Sequence, residues 1–306
     1  MAAHKTCHTR SANPMPQSNP CRLAIRVPNR IAPDPLVQRP SPMIHLRGHS
    51  ALITGSTKGV GRSIAVAFAE AGAKVVLHGR VPGIDAEETL AACRAHGVRA
   101  EYITGDLAGV TMTSTEEVFQ KATAAMPEID ILVNNAGNYN DVPFLDMDYE
   151  RFERTFRLNV FSVFFLTQKF ARRWVQNKTA GRVLMIGSIN ARLAEQTHSG
   201  YDTSKGAIEA MVKTLCVELA PLGIRVNGLA PGLVRTPLTH IIDSDPRFAR
   251  WMELHTPNRQ VPGSDVCGDG AVYLCSDAAS HVHGQMLLID GGMSAWQQPD
   301  MPEDWK

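Results

Sequence analysis

The chain has 306 residues, 44% of them hydrophobic and 20% charged, and a formal net charge of +1. That balance suits a folded protein with a sizeable core and excludes a fibre or a mainly disordered chain. No uninterrupted apolar run approaches the ~18–20 residues of a bilayer crossing; the greasiest stretch is NVFSVFFL at 159–166, so no membrane partner is expected.

Taken in chain order, the first 42 residues stand apart. They hold eight of the 19 prolines and six basic residues against one acid, Asp34, with no apolar periodicity. Residues 1–45 are therefore expected to be a disordered or targeting-like extension. It lacks the apolar core of a secretory signal, and its Arg-rich, acid-poor composition allows an organelle transit peptide. A disordered extension, or an upstream start with Met43 as the working start, fits better, and the cytoplasm is the expected compartment. Beyond it lie 25 basic and 29 acidic residues without a Lys/Arg block, so no nucleic-acid partner is expected. The six cysteines form no Cys-x-x-Cys pair and no zinc spacing, and HVH at 281–283 reads as ordinary loop or strand. Reduced thiols and no metal are expected.

From residue 50 onward, short apolar runs alternate with longer helical patterns. The runs are 50–55, 73–79, 98–105, 129–137, 181–188, 224–232 and 284–292, each rich in Val, Ile and Leu on consecutive positions. Strands covered on both faces read this way. Helical patterns fall near 60–71, 84–97, 114–126, 148–177, 202–221 and 264–276. Strict alternation predicts an α/β fold: a doubly wound, seven-stranded parallel sheet with helices on both faces, a Rossmann-type three-layer domain over 46–293. Residues 294–306 form a tail. Ligands of such sheets sit beyond the carboxyl ends of the strands.

The first strand runs into TGSTKGVGRSIA at 54–65. Gly55, Gly59 and Gly61 free the backbone at a tight strand-to-helix turn, where amides can approach a pyrophosphate. The ending rules out a P-loop. An acid that would hold a ribose 2′-hydroxyl is expected at the end of the second strand, but the chain reads His78-Gly79-Arg80 there. Further on, GYDTSK at 200–205 puts Tyr201 and Lys205 a turn apart on one helix face.

The glycine turn, NNAG at 134–137, Ser188 thirteen residues before Tyr201, YDTSK, and APG at 230–232 occur in one order over residues 46–293. Together they resemble the short-chain dehydrogenase/reductase family, in its single-domain NADP(H)-preferring form. Members acting on gluconate or on 3-oxoacyl groups are the nearest in feel. The resemblance implies a catalytic group of Asn159, Ser188, Tyr201 and Lys205. Tyr201 would give its proton to a carbonyl as hydride arrives and take it back in oxidation, with Lys205 and the oxidised nicotinamide lowering the phenol's pKa. Ser188 would hold the substrate oxygen, and Asn159 would anchor a water relay to Lys205. Cofactor contacts are implied for Gly55, Ser56, Thr57, Lys58, Gly59, Val60, Gly61, Arg80, Asp106, Leu107, Asn135, Tyr201, Lys205, Pro231, Gly232, Val234 and Thr236. Asn135 would lie by the ribose, while Asn134 ties strands together.

NADP(H) is expected to be preferred over NAD(H), because Arg80 and Lys58 can converge on a 2′-phosphate, while Asp85 lies too far along the next helix to intrude. Segment 233–262 would be the substrate lid. Substrate contacts are expected from Ser188, Asn190, Glu195 and Tyr201, and the loop 189–200 also offers Arg192, Gln196 and His198. A small polar ketone or sugar-type alcohol is the expected substrate. The alternatives are a serine hydrolase, whose G-x-S-x-G elbow is missing around Ser188, and a catalytically silent binding or scaffold protein. A homodimer or homotetramer through helices 148–177 and 202–221 is expected from the six phenylalanines between 152 and 170.

Overall fold

Seven short strands, most of them runs of consecutive apolar residues, pair into one parallel sheet in the computed structural model, which describes residues 44–239 and 245–296. The strands are β1 (Ser50–Ile53), β2 (Lys74–Gly79), β3 (Ala100–Thr104), β4 (Ile131–Asn134), β5 (Arg182–Ile186), β6 (Arg225–Pro231) and β7 (Met286–Ile289), in the order β3-β2-β1-β4-β5-β6-β7. Every neighbouring pair is parallel. The chain builds outward from β1 to β3, then crosses back to place β4 on the other side of β1. That reversal opens a crevice at the carboxyl ends of β1 and β4.

Helices α1 (Gly59–Glu70), α2 (Ile84–Arg94), α3 (Thr111–Ala125), α4 (Tyr149–Phe156), α5 (Ser162–Asn177), α6 (Ser199–Leu219), α7 (Pro246–His255) and α8 (Val266–Cys275) complete the described chain. One core lies between the sheet and α1, α2 and α8, around Ile53, Ile64, Phe68, Val75 and Leu274. The other lies between the sheet and α3, α5 and α6, around Leu132, Leu166, Phe170, Trp174 and Ile208. Strands sandwiched in this way need no polar face, which is why β1, β4 and β6 are buried along their whole length.

The single helix expected over 148–177 is interrupted. Residues Arg157–Phe161 form one π turn between α4 and α5, a wider turn that often marks functional sites. Asn159 sits in it, and its carboxamide supplies the reason. Its Oδ1 accepts from the amide of Asn138 at 3.0 Å, and its Nδ2 donates to the carbonyl of Asn138 at 2.8 Å and to Ser204 Oγ at 3.0 Å.

The expectations for residues 1–43, for residues 240–244 of the lid and for the tail beyond 296 lie outside the described residues. No helix among the described residues is long and apolar enough to cross a membrane.

Candidate active site

The glycine turn is shaped by its own packing. Gly55 and Gly59 have φ of +62° and +52°, left-handed values that favour glycine. At Gly61 a Cβ would lie 2.3 Å from both Asn135 Nδ2 and the carbonyl of Gly55. Asn135 fills that place because its amide donates to the carbonyls of Thr54 and Gly55, each at 2.9 Å. The side chain expected beside a ribose therefore clamps the turn, although it still borders the cleft. Asn134 ties β4 to α5 through Thr167 Oγ1 at 3.0 Å, as a buried strand amide should.

His78 braces the same turn from below. Its Nδ1 accepts from the amide of Gly55 at 3.2 Å, so Nε2 carries the hydrogen and donates to the carbonyl of Gly105 at 3.1 Å. Burial is the main reason its pKa falls to about 4, which keeps the ring neutral. Ser56 is a correction. It is fully buried, and its Oγ accepts from the amide of His78 at 3.0 Å while its own amide donates to the His78 carbonyl at 2.9 Å. It joins β1 to β2 and does not face the cleft.

A cleft of about 1180 Å³ runs from this turn to the start of α6, above the ~300–1,000 Å³ of ordinary small-molecule pockets. It has room for a dinucleotide and a small substrate together. Gly55, Thr57, Lys58, Gly59, Val60, Gly61, Arg80, Asp106, Leu107, Asn135, Pro231, Gly232, Val234 and Thr236 all line it. The first turn of α1 carries no acidic residue and no side-chain cap, so its amides are available to an anion. The residues present fit a pyrophosphate at the turn. One placement differs from expectation. Lys58 is ion-paired, Nζ to Asp85 Oδ2 at 2.8 Å, so Asp85 in the first turn of α2 does reach this neighbourhood. Arg80 is exposed and has no ion-pair partner among the described residues.

At the other end, Ser188, Asn190, Glu195, Tyr201 and Lys205 share the cleft wall. Lys205 Nζ donates to the carbonyl of Ile186 at 2.8 Å and lies 5.5 Å from the centroid of the Tyr201 ring. Burial lowers its pKa to about 8. Burial also raises the Tyr201 phenol above its ordinary value, only partly offset by a hydrogen bond with Ser188. The nearby Asp202 and Glu195 carboxylates act in the same direction as burial, opposite to the lowering expected from Lys205 and the oxidised nicotinamide together. Asn159 stands behind this wall, with both amide hydrogens spent on Asn138 and Ser204.

The loop after β5 is held by Asp202, whose place inside YDTSK carries no mark of that task. Its carboxylate accepts from Asn190 Nδ2 at 2.9 Å and from the amide of Glu195 at 3.0 Å. Arg192 does not reach the cleft, because it donates to Glu209 at 3.0 and 3.1 Å. Tyr139 was also missed. Its ring stands edge-on to His198 at 5.2 Å and to Tyr201 at 6.1 Å, walling the substrate end. Its signal is its place just beyond NNAG, where a strand end opens onto the crevice. From α7, Phe248 and Met252 close the opposite side.

A doubly wound sheet with a glycine turn at one end of the crevice and a Ser–Tyr–Lys group on the cleft wall at the other defines a dinucleotide-dependent oxidoreductase. A family model described as enoyl-(acyl carrier protein) reductase matches residues 55–294. Gluconate 5-dehydrogenase of Gluconobacter oxydans is 32% identical over 256 residues, covering 82% of this chain and 97% of the relative. The 7alpha-hydroxysteroid dehydrogenase of Escherichia coli is 35% identical over 252 residues, 81% of this chain and 95% of that one. The crystal structure of a gluconate 5-dehydrogenase from Burkholderia cenocepacia in complex with NADP and tartrate is 32% identical, with a TM-score of 0.77, covering 84% of this chain and 99% of that one. The chain belongs to the short-chain dehydrogenase/reductase family and is an oxidoreductase that works with a nicotinamide cofactor.

Proposed function

We propose that the protein interconverts a carbonyl and a secondary alcohol on a small, polar, sugar-type substrate, with NADP(H) preferred over NAD(H). The observation that carries the reading is one cleft holding the glycine turn at one end and Ser188, Tyr201 and Lys205 at the other. The bound nicotinamide would supply or accept the hydride. In reduction, the Tyr201 hydroxyl gives its proton to the carbonyl oxygen while that hydride reaches the carbonyl carbon, and a phenolate remains. Burial keeps the phenol protonated beforehand, as an acid requires. Lys205 then steadies the phenolate, and Ser188 orients the substrate oxygen. Asn159 anchors the route that returns a proton to Lys205. With its amide hydrogens spent, it can offer a relay water only an acceptor.

The polar substrate is supported by Asn190, Glu195, Thr197 and His198 along one wall and by relatives that act on gluconate and glucose. We read 233–262 as the lid, since Phe248 and Met252 face the cleft from it. NADP(H) is supported by the absence of an acid at the end of β2 and by Arg80 and Lys58 on the cleft wall. Charge-assisted contacts to phosphate contribute about 1.5–3 kcal/mol each, so NADPH should exceed NADH at least ~10-fold in kcat/KM.

The test is NADPH oxidation measured across sugar acids, aldoses, diketones, quinones and steroids, repeated with NADH and with the Arg80→Asp variant. Turnover of sugar-type carbonyls is expected, as is a cofactor preference that Arg80→Asp erases through KM. A marked preference for steroids would overturn the substrate class, and equal use of both cofactors would overturn the NADP(H) assignment. Tight cofactor binding without any turnover would point to the silent scaffold.

A further inference from the structure

Lys58 is the N-cap residue of α1, immediately before Gly59, and its ammonium lies 2.8 Å from the carboxylate of Asp85. The two are 27 residues apart in the chain, and the pair spans the gap between the glycine turn and the first turn of α2. Both side chains are partly exposed, 56% for Lys58 and 41% for Asp85. Lys58 and Arg80 line the cleft, while Asp85 stands just outside its wall. The other nearby cation, Arg62, is engaged by Glu88 at 3.5 Å. The local balance is thus two cations turned toward the cleft and one carboxylate holding one of them.

We propose that Asp85 is a cofactor-specificity residue that works against the 2′-phosphate. The inference rests on the reading above, that Lys58 and Arg80 meet that phosphate. When no phosphate is present, Asp85 holds Lys58 and neutralises it. A 2′-phosphate brings close to two negative charges and must share or take over Lys58, which leaves the Asp85 carboxylate beside a like charge. The free 2′-hydroxyl of NAD(H) makes no such demand. The ion pair therefore narrows the advantage of NADP(H) over NAD(H).

Asp85 also has an ordinary reason to exist, because an acid in the first turn of a helix is favoured by its positive end. Glu87 occupies the same turn and serves that purpose without touching Lys58. Helix start and cofactor choice can therefore be separated by experiment.

The experiment is calorimetric titration of the full-length protein with NADP+ and with NAD+, which needs no substrate and no turnover. It compares the unmutated protein with Asp85→Asn, Lys58→Ala, Arg80→Ala and the Asp85→Asn/Lys58→Ala double variant. Asp85→Ser serves if the asparagine variant melts early. For a partly exposed pair, removing the carboxylate should tighten NADP+ about three- to ten-fold at low ionic strength and leave NAD+ within about two-fold. The gain should shrink in 0.5 M salt, on the order of a 4 Å screening length. It should also be smaller without Lys58, since no ion pair is then left for the phosphate to exchange.

Unchanged or weaker NADP+ binding by Asp85→Asn overturns the proposal. Weaker binding seen only while Lys58 is present would make Asp85 a support for the lysine. If neither Lys58→Ala nor Arg80→Ala weakens NADP+, the reading beneath the proposal has failed and the proposal goes with it. If those two weaken NADP+ and Asp85→Asn does not tighten it, the proposal alone has failed.

Discussion

At the scale of single residues, Tyr201 is half-buried and His78 fully buried, and their neighbours give these two titratable groups opposite tasks. Tyr201 faces the cleft with a hydroxyl that Ser188 touches. Tyr201→Phe keeps the ring packing against Tyr139 and His198 and loses only the transferable proton. We expect kcat to fall well over ten-fold while cofactor affinity stays within a few-fold. A variant that keeps more than about a tenth of kcat, a barrier change of ~1.4 kcal/mol or less, would contradict the role given to this tyrosine.

His78 faces inward, with its neutral form spent on Gly55 and Gly105. Its pKa is about 4 in the fold against the ordinary imidazole value of 6.5. The unfolded chain therefore binds a proton below about 6.5 that the folded chain refuses until about 4. Stability is lost as pH falls through that window, by roughly 3 kcal/mol from this site at about 1.4 kcal/mol per pKa unit. His78→Gln cannot take up that proton. Urea midpoints at pH 7, 5.5 and 4.5 should show the unmutated protein losing more stability than the variant; parallel losses would mean that the imidazole does not stay neutral.

At the scale of elements, what matters is whether a turn has room. Gly61 opens α1 where a methyl group would meet Asn135 and Gly55 at 2.3 Å, while Gly206 in α6 would meet nothing within 4 Å. Alanine is the better helix former by about 0.8–1 kcal/mol, so propensity alone would make both substitutions favourable. Packing reverses the sign at one of them. Gly61→Ala should cost about 1–3 kcal/mol and weaken NADP+ binding, because the turn must shift. Gly206→Ala should be neutral or raise Tm. Melting curves and cofactor titration of both variants settle the comparison, and a stabilised Gly61→Ala with full affinity would show that the turn yields easily. The π turn at 157–161 is the second such element, since it brings Asn159 against Asn138 and Ser204 and so joins α4, α6 and the loop after β4.

At the scale of the whole molecule, apolar surface remains where α4, the π turn, α5 and α6 face outward. Phe152, Phe161 and Phe164 are 37%, 41% and 38% exposed, and Val217 on α6 is 76% exposed. Of the six phenylalanines expected on this face, Phe170 is fully buried and packs edge-on to Phe119, so it belongs to the core. The remaining exposed rings are more than a solvated helix pair ordinarily carries. A dimer or tetramer through these helices is expected, and Phe161→Glu with Phe164→Glu should drive it toward monomers. Light scattering at micromolar concentration decides it, and a monomeric unmutated protein would end this expectation.

How much was legible follows from how local each feature is. The seven strands, the glycine turn and the Tyr201–Lys205 spacing could be read directly, because consecutive apolar residues mark a doubly covered strand and a four-residue step marks one helix face. The amino-acid sequence by itself thus determined the fold, the family and the two ends of the cleft. Only the tertiary structure decided which polar side chains are already spent. Ser56 and His78 bind each other's strands, Asn135 clamps the turn, Asp202 holds the loop after β5, and Asp85 takes Lys58. Each of those contacts joins different elements, across 22 residues for His78 and Ser56 and 80 for Asn135 and Gly55. Such partners are set by strand register and by the crossover from β3 to β4, neither of which leaves a periodic mark on the chain.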